Sequence, residues 1–133
     1  MVDRKSLPRL QFITGSNARL SHADEVREVC EAGVRFIQFR EKHASVEGTK
    51  RMAETALAVA RLYDAYFIVN DYIEVARDIG ADGVHVGYED ATPTQAKEAL
   101  GDEAIIGGTG NTFSHIERMY QQGVHYMGVG PFR

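Results

Sequence analysis

The 133 residues make one domain of ordinary size or one piece of a larger one, since domains run to roughly 100–200 residues. Hydrophobic residues at 44% and charged residues at 26% exclude a disordered or low-complexity chain. Fifteen Lys and Arg against 19 Asp and Glu leave a net charge of −4, which offers no basic field to a nucleic acid, and the single Cys30 excludes an intrachain disulfide or a paired-cysteine zinc motif.

Arg4 and Lys5 near the start are not followed by the apolar run of roughly 7–15 residues that a signal peptide needs, and no stretch nears the ~18 residues of a membrane span. A cytoplasmic protein without membrane partners is expected. Short runs rich in β-branched and aromatic residues predict strands at 10–13, 34–39, 66–69, 83–86, 104–106 and 126–129. Between them, apolar residues at three- and four-residue spacing predict helices over 22–32, 46–63, 72–79, 93–100 and 115–121. Ser21, Ser45, Asp71, Thr92 and Thr112 or Ser114 stand where N-caps belong, and Pro93 takes a first helical position. Gly33, Gly80, Gly101 and Gly123 each follow a helix end, where a left-handed residue stops the helix.

This alternation is βα, with parallel strands joined by helical crossovers. An open doubly wound sheet and a (β/α)8 barrel both produce it. Six strands favour the open sheet by count, whereas the chain's stop directly after the sixth strand, at Gly130-Pro131-Phe132-Arg133, suggests a cut barrel. In either case ligands bind at the carboxyl ends of the strands.

Those ends are polar. Strand two closes Gln38-Phe39-Arg40-Glu41-Lys42, and alternation projects Gln38, Arg40 and Lys42 to one side. Strand three closes Asn70-Asp71, where Asp71 is either a helix cap or a site carboxylate. Strand four closes His85-Val86-Gly87-Tyr88-Glu89-Asp90. Two carboxylates on adjacent strand ends beside two cations can hold Mg²⁺ against a phosphate. Gly107-Gly108-Thr109-Gly110-Asn111 reads as a loop open to an anion, although it is neither a Walker loop nor GxGxxG.

Taken in order, Gln38-Phe39-Arg40-Glu41-Lys42, Val69-Asn70-Asp71, the segment 80–90, Ile105-Ile106-Gly107-Gly108-Thr109 and Gly128-Val129-Gly130-Pro131 resemble the thiamine phosphate synthase family over residues 10–133. The resemblance implies a TIM (β/α)8 barrel of which about the first six strands are present, as a single partial domain over 1–133. It also implies a transferase, condensing 4-amino-2-methyl-5-hydroxymethylpyrimidine diphosphate with 4-methyl-5-(2-phosphooxyethyl)thiazole. By that resemblance Gln38, Asn70, His85 and Thr109 contact substrate, Arg40 and Lys42 hold the diphosphate as catalytic cations, and Asp71 and Asp90 ligate Mg²⁺. Thr109 stands where the family usually has serine. Small molecules are the expected partners, and self-association is left open.

The family pattern continues past Gly-Pro into a phosphate loop and two further βα units, so a parent polypeptide extending beyond Arg133 is expected; without it the first and sixth strands would be unpaired edges. Two other readings remain. A thiazole tautomerase of the same family would not need the carboxylate pair, and a truncated, non-catalytic module would only bind pyrimidine diphosphate.

Overall fold

The computed structural model describes residues 7–15, 19–87 and 91–130. Strands and helices alternate as β1 (Phe12–Ile13), α1 (His22–Glu31), β2 (Phe36–Phe39), α2 (Val46–Leu62), β3 (Tyr66–Asn70), α3 (Ile73–Ile79), β4 (Gly83–Val86), α4 (Pro93–Leu100), β5 (Ile105–Gly110), α5 (Phe113–Gln121) and β6 (Tyr126–Val129). All pairs are parallel, and the six-stranded order is β1-β2-β3-β4-β5-β6.

That order removes the open doubly wound alternative, whose strand order reverses at a switch point. Curvature removes it again. A flat sheet would hold β1 and β6 roughly 24 Å apart at ordinary strand spacing, yet Gln11 Nε2, beside β1, donates to the Tyr126 hydroxyl of β6 at 3.1 Å. The sheet is a curled half-barrel of the TIM type.

Four helices begin at caps that the sequence offers. Ser21 and Thr92 form capping boxes with Asp24 and Gln95, while Ser45 and Thr112 accept from the backbone N–H groups of Gly48 and His115. α3 differs: its N-cap is Tyr72 with no side-chain cap bond, so Asp71 is not the cap. It stands instead at φ 69°, a left-handed conformation that Asp tolerates better than most residues.

Side-chain alternation divides the core. Ile37, Phe39, Phe67, Val69, Val84, Val86 and Ile106 point outward beneath Val26, Cys30, Ala53, Ala56 and Ala60 of the helices. Phe36, Ile68 and Ile105 point inward with Tyr66 and Tyr126. From β2 to β5 both faces are largely covered, which is why these strands read as apolar runs.

Several boundaries move. β1 and β2 start at Phe12 and Phe36 rather than at 10 and 34, and α5 starts at Phe113 rather than at 115. The larger correction is β5, which continues through Gly107-Gly108-Thr109-Gly110 as strand rather than loop. Packing explains its glycines. A Cβ at Gly108 would lie 2.6 Å from Met119 Sδ, and one at Gly110 would lie 2.7 Å from Ile116 Cγ1, so small residues let α5 settle on the sheet.

At the amino-terminal rim of the sheet, the Asp82 carboxylate accepts from the Phe67 backbone N–H at 2.7 Å and from two Arg61 nitrogens at 2.7 and 3.2 Å. Asp82 thereby stands in for a missing ladder partner at the start of β4. Asp82→Ala should destabilise the fold by roughly 2–3 kcal/mol, mostly by leaving the Phe67 N–H unpaired, since the half-exposed ion pair itself contributes little. Urea unfolding checks this, and a loss under about 0.5 kcal/mol would mean that water replaces the carboxylate.

Candidate active site

The inner face carries an apolar floor and a polar layer above it. Phe36 meets Tyr66 and Tyr126 edge-on, at centroid distances of 6.4 and 5.4 Å. Toward the carboxyl ends, the next inward positions are Gln38, Asn70, His85 and Thr109, joined by Gln11 and the hydroxyl of Tyr126.

These six side chains form one hydrogen-bonded row, with one from beside or within each strand. Asn70 Nδ2 donates to Gln38 Oε1 at 2.9 Å, and Gln38 Nε2 donates to Gln11 Oε1 at 3.2 Å. Gln11 Nε2 reaches the Tyr126 hydroxyl, which lies 2.8 Å from His85 Nδ1, and His85 Nε2 lies 2.7 Å from Thr109 Oγ1. Gln38 and His85 are 2% and 6% exposed, so the row is built into the wall rather than resting in solvent.

Register explains how Tyr126 reaches His85. His85 pairs with Gly107 and Gly107 with Tyr126, so the two side chains flank a residue that has none. A Cβ on Gly107 would fall within the space of the Tyr126 ring. Burial pushes the His85 imidazole down to about 4, keeping it neutral near pH 7, and pushes the Tyr126 phenol well above its ordinary value.

Arg40 lies just beyond β2 and lines the same cleft, of about 360 Å³, with Gln11, Gln38, Asn70, His85, Thr109 and Tyr126. Its backbone N–H donates to Thr14 Oγ1 at 3.1 Å. Thr14 Oγ1 in turn lies 2.7 Å from Nδ1 of the buried His22, whose Nε2 donates to Glu41 at 2.8 Å. Glu41 also accepts from the His43 backbone N–H at 2.8 Å. The His22 and His43 hydrogen bonds hold the Glu41 carboxyl below its usual range. Together these contacts brace the turn after β2 from behind.

Gln38, Arg40, Asn70, His85 and Thr109 therefore share one cleft. Lys42 does not line it: β2 ends at Phe39, so strict alternation does not carry as far as residue 42, and Lys42 sits exposed in the bend that Glu41 anchors. Asp71 is half-buried at the end of β3, its backbone N–H donating to the His85 carbonyl at 2.9 Å. Asp90 lies outside the described residues. The sequence pattern does not single out Gln11, Thr14 or Tyr126. Gln11 and Tyr126 fall inside expected strands, and only the inward parity they share with Gln38 and His85 marks them.

The family model described as thiamine monophosphate synthase matches residues 10–133. Thiamine-phosphate synthase of Phocaeicola vulgatus is 41% identical over 124 residues, covering 93% of this chain and 60% of that protein. The enzyme of the same name from Dictyoglomus thermophilum is 43% identical over 108 residues, covering 81% of this chain and 48% of that protein. The chain thus spans about three-fifths or less of the length of these curated relatives. Among solved structures, thiamine phosphate pyrophosphorylase from Pyrococcus furiosus superimposes with a TM-score of 0.82 at 32% identity, covering 91% of this chain and 59% of that one. The family match takes in all six strands and the cleft they surround, and the chain belongs to the thiamine monophosphate synthase family.

Proposed function

We propose that this chain, as one partial barrel domain, carries the pyrimidine-diphosphate site of a thiamine phosphate synthase. That transferase joins 4-amino-2-methyl-5-hydroxymethylpyrimidine diphosphate to 4-methyl-5-(2-phosphooxyethyl)thiazole, releasing diphosphate. The observation that carries this reading is Arg40 on the rim of a cleft whose wall is a row of neutral hydrogen-bonding groups. A charged rim above a neutral wall suits a ligand with an anionic tail and an uncharged heterocycle.

Each group has work that its chemistry permits. The Gln38 amide uses one N–H on Gln11 and one lone pair on Asn70, which leaves one donor and one acceptor. That pair complements the exocyclic amine and ring nitrogen of an aminopyrimidine. Arg40 offers a planar fork to a diphosphate, and Lys42, exposed outside the cleft two residues on, is assigned as a second cation for the part of that leaving group that extends past the rim. Asn70 and Thr109 are assigned hydrogen bonds to substrate.

Charge builds on the departing diphosphate as its carbon–oxygen bond breaks, so positive groups held at that point lower the barrier more than they tighten ground-state binding. Asp71 and Asp90 would hold Mg²⁺, which would supply further positive charge to the leaving group. The thiazole nitrogen carries its own lone pair, so its attack needs no general base. The reaction is soluble small-molecule chemistry that we assign to the cytoplasm; among the described residues no helix is long and apolar enough to cross a membrane.

Calorimetric titration of the 133-residue chain with pyrimidine diphosphate and Mg²⁺ tests the reading. Binding is expected, and Arg40→Ala should weaken it roughly ten- to a hundredfold, the loss of a charge-assisted pair. Absence of heat with the unaltered chain would sink the proposal.

A further inference from the structure

We propose that Tyr126 is a positioning residue: it holds His85 with its proton on Nε2, so that Thr109 turns its own hydroxyl proton into the cleft as a donor to an acidic oxygen of the ligand. That this oxygen belongs to a diphosphate rests on the function proposed above; the proton arrangement does not.

Among the described residues, the Tyr126 hydroxyl has two side-chain partners, Gln11 Nε2 and His85 Nδ1. Gln11 donates, because its Oε1 is already turned to Gln38 Nε2. One lone pair of the phenol is thus occupied, and burial keeps the phenol protonated. Among the described side chains its hydrogen then has one acceptor within reach, His85 Nδ1. If Nδ1 were itself protonated, the phenol hydrogen would be buried without a partner, an arrangement proteins avoid.

A neutral imidazole has one donor and one acceptor nitrogen. With Nδ1 accepting, the proton lies on Nε2, and Nε2 donates to Thr109 Oγ1 across 2.7 Å. Thr109 thereby becomes an acceptor toward the wall. Its remaining hydroxyl hydrogen faces the cleft that Thr109 lines. The row has one polarity from Asn70 to Thr109, and it ends in a donor. Reversed throughout, it would end in a hydroxyl committed to His85 and offering only lone pairs, the wrong sign for an anion.

Long-range proton–nitrogen NMR on ring-labelled chain reads the tautomer directly, with His85 assigned by the signal that disappears in His85→Asn. The expected spectrum shows a protonated Nε2 and a bare Nδ1. In Tyr126→Phe the Nε2–H form should give way to a mixture, and binding of inorganic diphosphate should weaken about tenfold. Thr109→Val should weaken it equally, and the double variant no further, because both changes remove one donor. A protonated Nδ1 in the unaltered chain would overturn the proposal, as would an Nε2–H form that survives Tyr126→Phe. The first of these needs no variant to fold. If diphosphate binds neither chain while the tautomer behaves as stated, the positioning role stands and the proposed ligand falls.

Discussion

Gly107→Ala is expected to cost roughly 3–5 kcal/mol of folding stability, a large change for one methyl group. The new Cβ would overlap the Tyr126 ring, and that ring has nowhere inward to go, because Phe36 packs against it at a centroid distance of 5.4 Å. Overfilling a packed site costs about 1–3 kcal/mol. Expelling the ring also breaks its hydrogen bonds to Gln11 and His85, at roughly 1 kcal/mol each, and strands polar groups in the wall. Gly15→Ala is the matching control, since a Cβ there meets nothing within 4 Å. Denaturant midpoints for the two variants make the comparison. Equal midpoints would mean that the ring does not lie over Gly107.

Acid should unfold the protein over a window set by His85. In the unfolded chain this imidazole takes up a proton near its ordinary value of 6.5, whereas burial in the fold delays protonation until about 4. Between those values the unfolded state binds more protons, so stability rises with pH across the window. The contribution is fully present above 6.5 and is lost as the pH falls toward 4, a total of roughly 3 kcal/mol at about 1.4 kcal/mol per unit. Glu41, with its carboxyl held below the usual range, adds a loss of the same sign at lower pH. Unfolding measured at half-unit steps should slope steeply in the unaltered chain and less so in His85→Gln. A flat profile between pH 6.5 and 4.5 would contradict the burial of His85.

The sequence makes the architecture legible wherever local chemistry decides it. Ser21, Ser45, Thr92 and Thr112 cap helices because a side-chain oxygen facing an orphan N–H is a contact made within one turn. β4 and β6 fall where their apolar runs predict. What local pattern cannot carry is contact across the barrel. The glycines from 107 to 110 look like an anion loop because smallness is visible in sequence and its cause is not: Tyr126, Met119 and Ile116 fill the space. Gln38, Asn70, His85 and Thr109 are legible as inward residues at strand ends, yet Gln11 and Tyr126, which join them into one row, are contributed by opposite edges of the sheet. Alternation from Gln38 also overreaches at Lys42, because Glu41 folds back onto His22 once the ladder has ended.

The consecutive strand order bears on how the molecule acquires its shape. Among the described residues each strand pairs only with its neighbours in the chain, so each of these sheet contacts closes a loop of one helix and its turns. No early strand must wait for a distant partner to be inserted between it and its neighbour, as a reversed order would require. The entropic penalty of each closure is similar and modest, and rises only slowly with length. A chain emerging from the ribosome can therefore assemble by accretion, each βα unit docking on an edge already made. The inner hydrogen-bonded row is the exception, since its link from Gln11 to the Tyr126 hydroxyl must await β6. Completion of that link should be a late event, and the cleft should acquire its polarity only after the wall is standing.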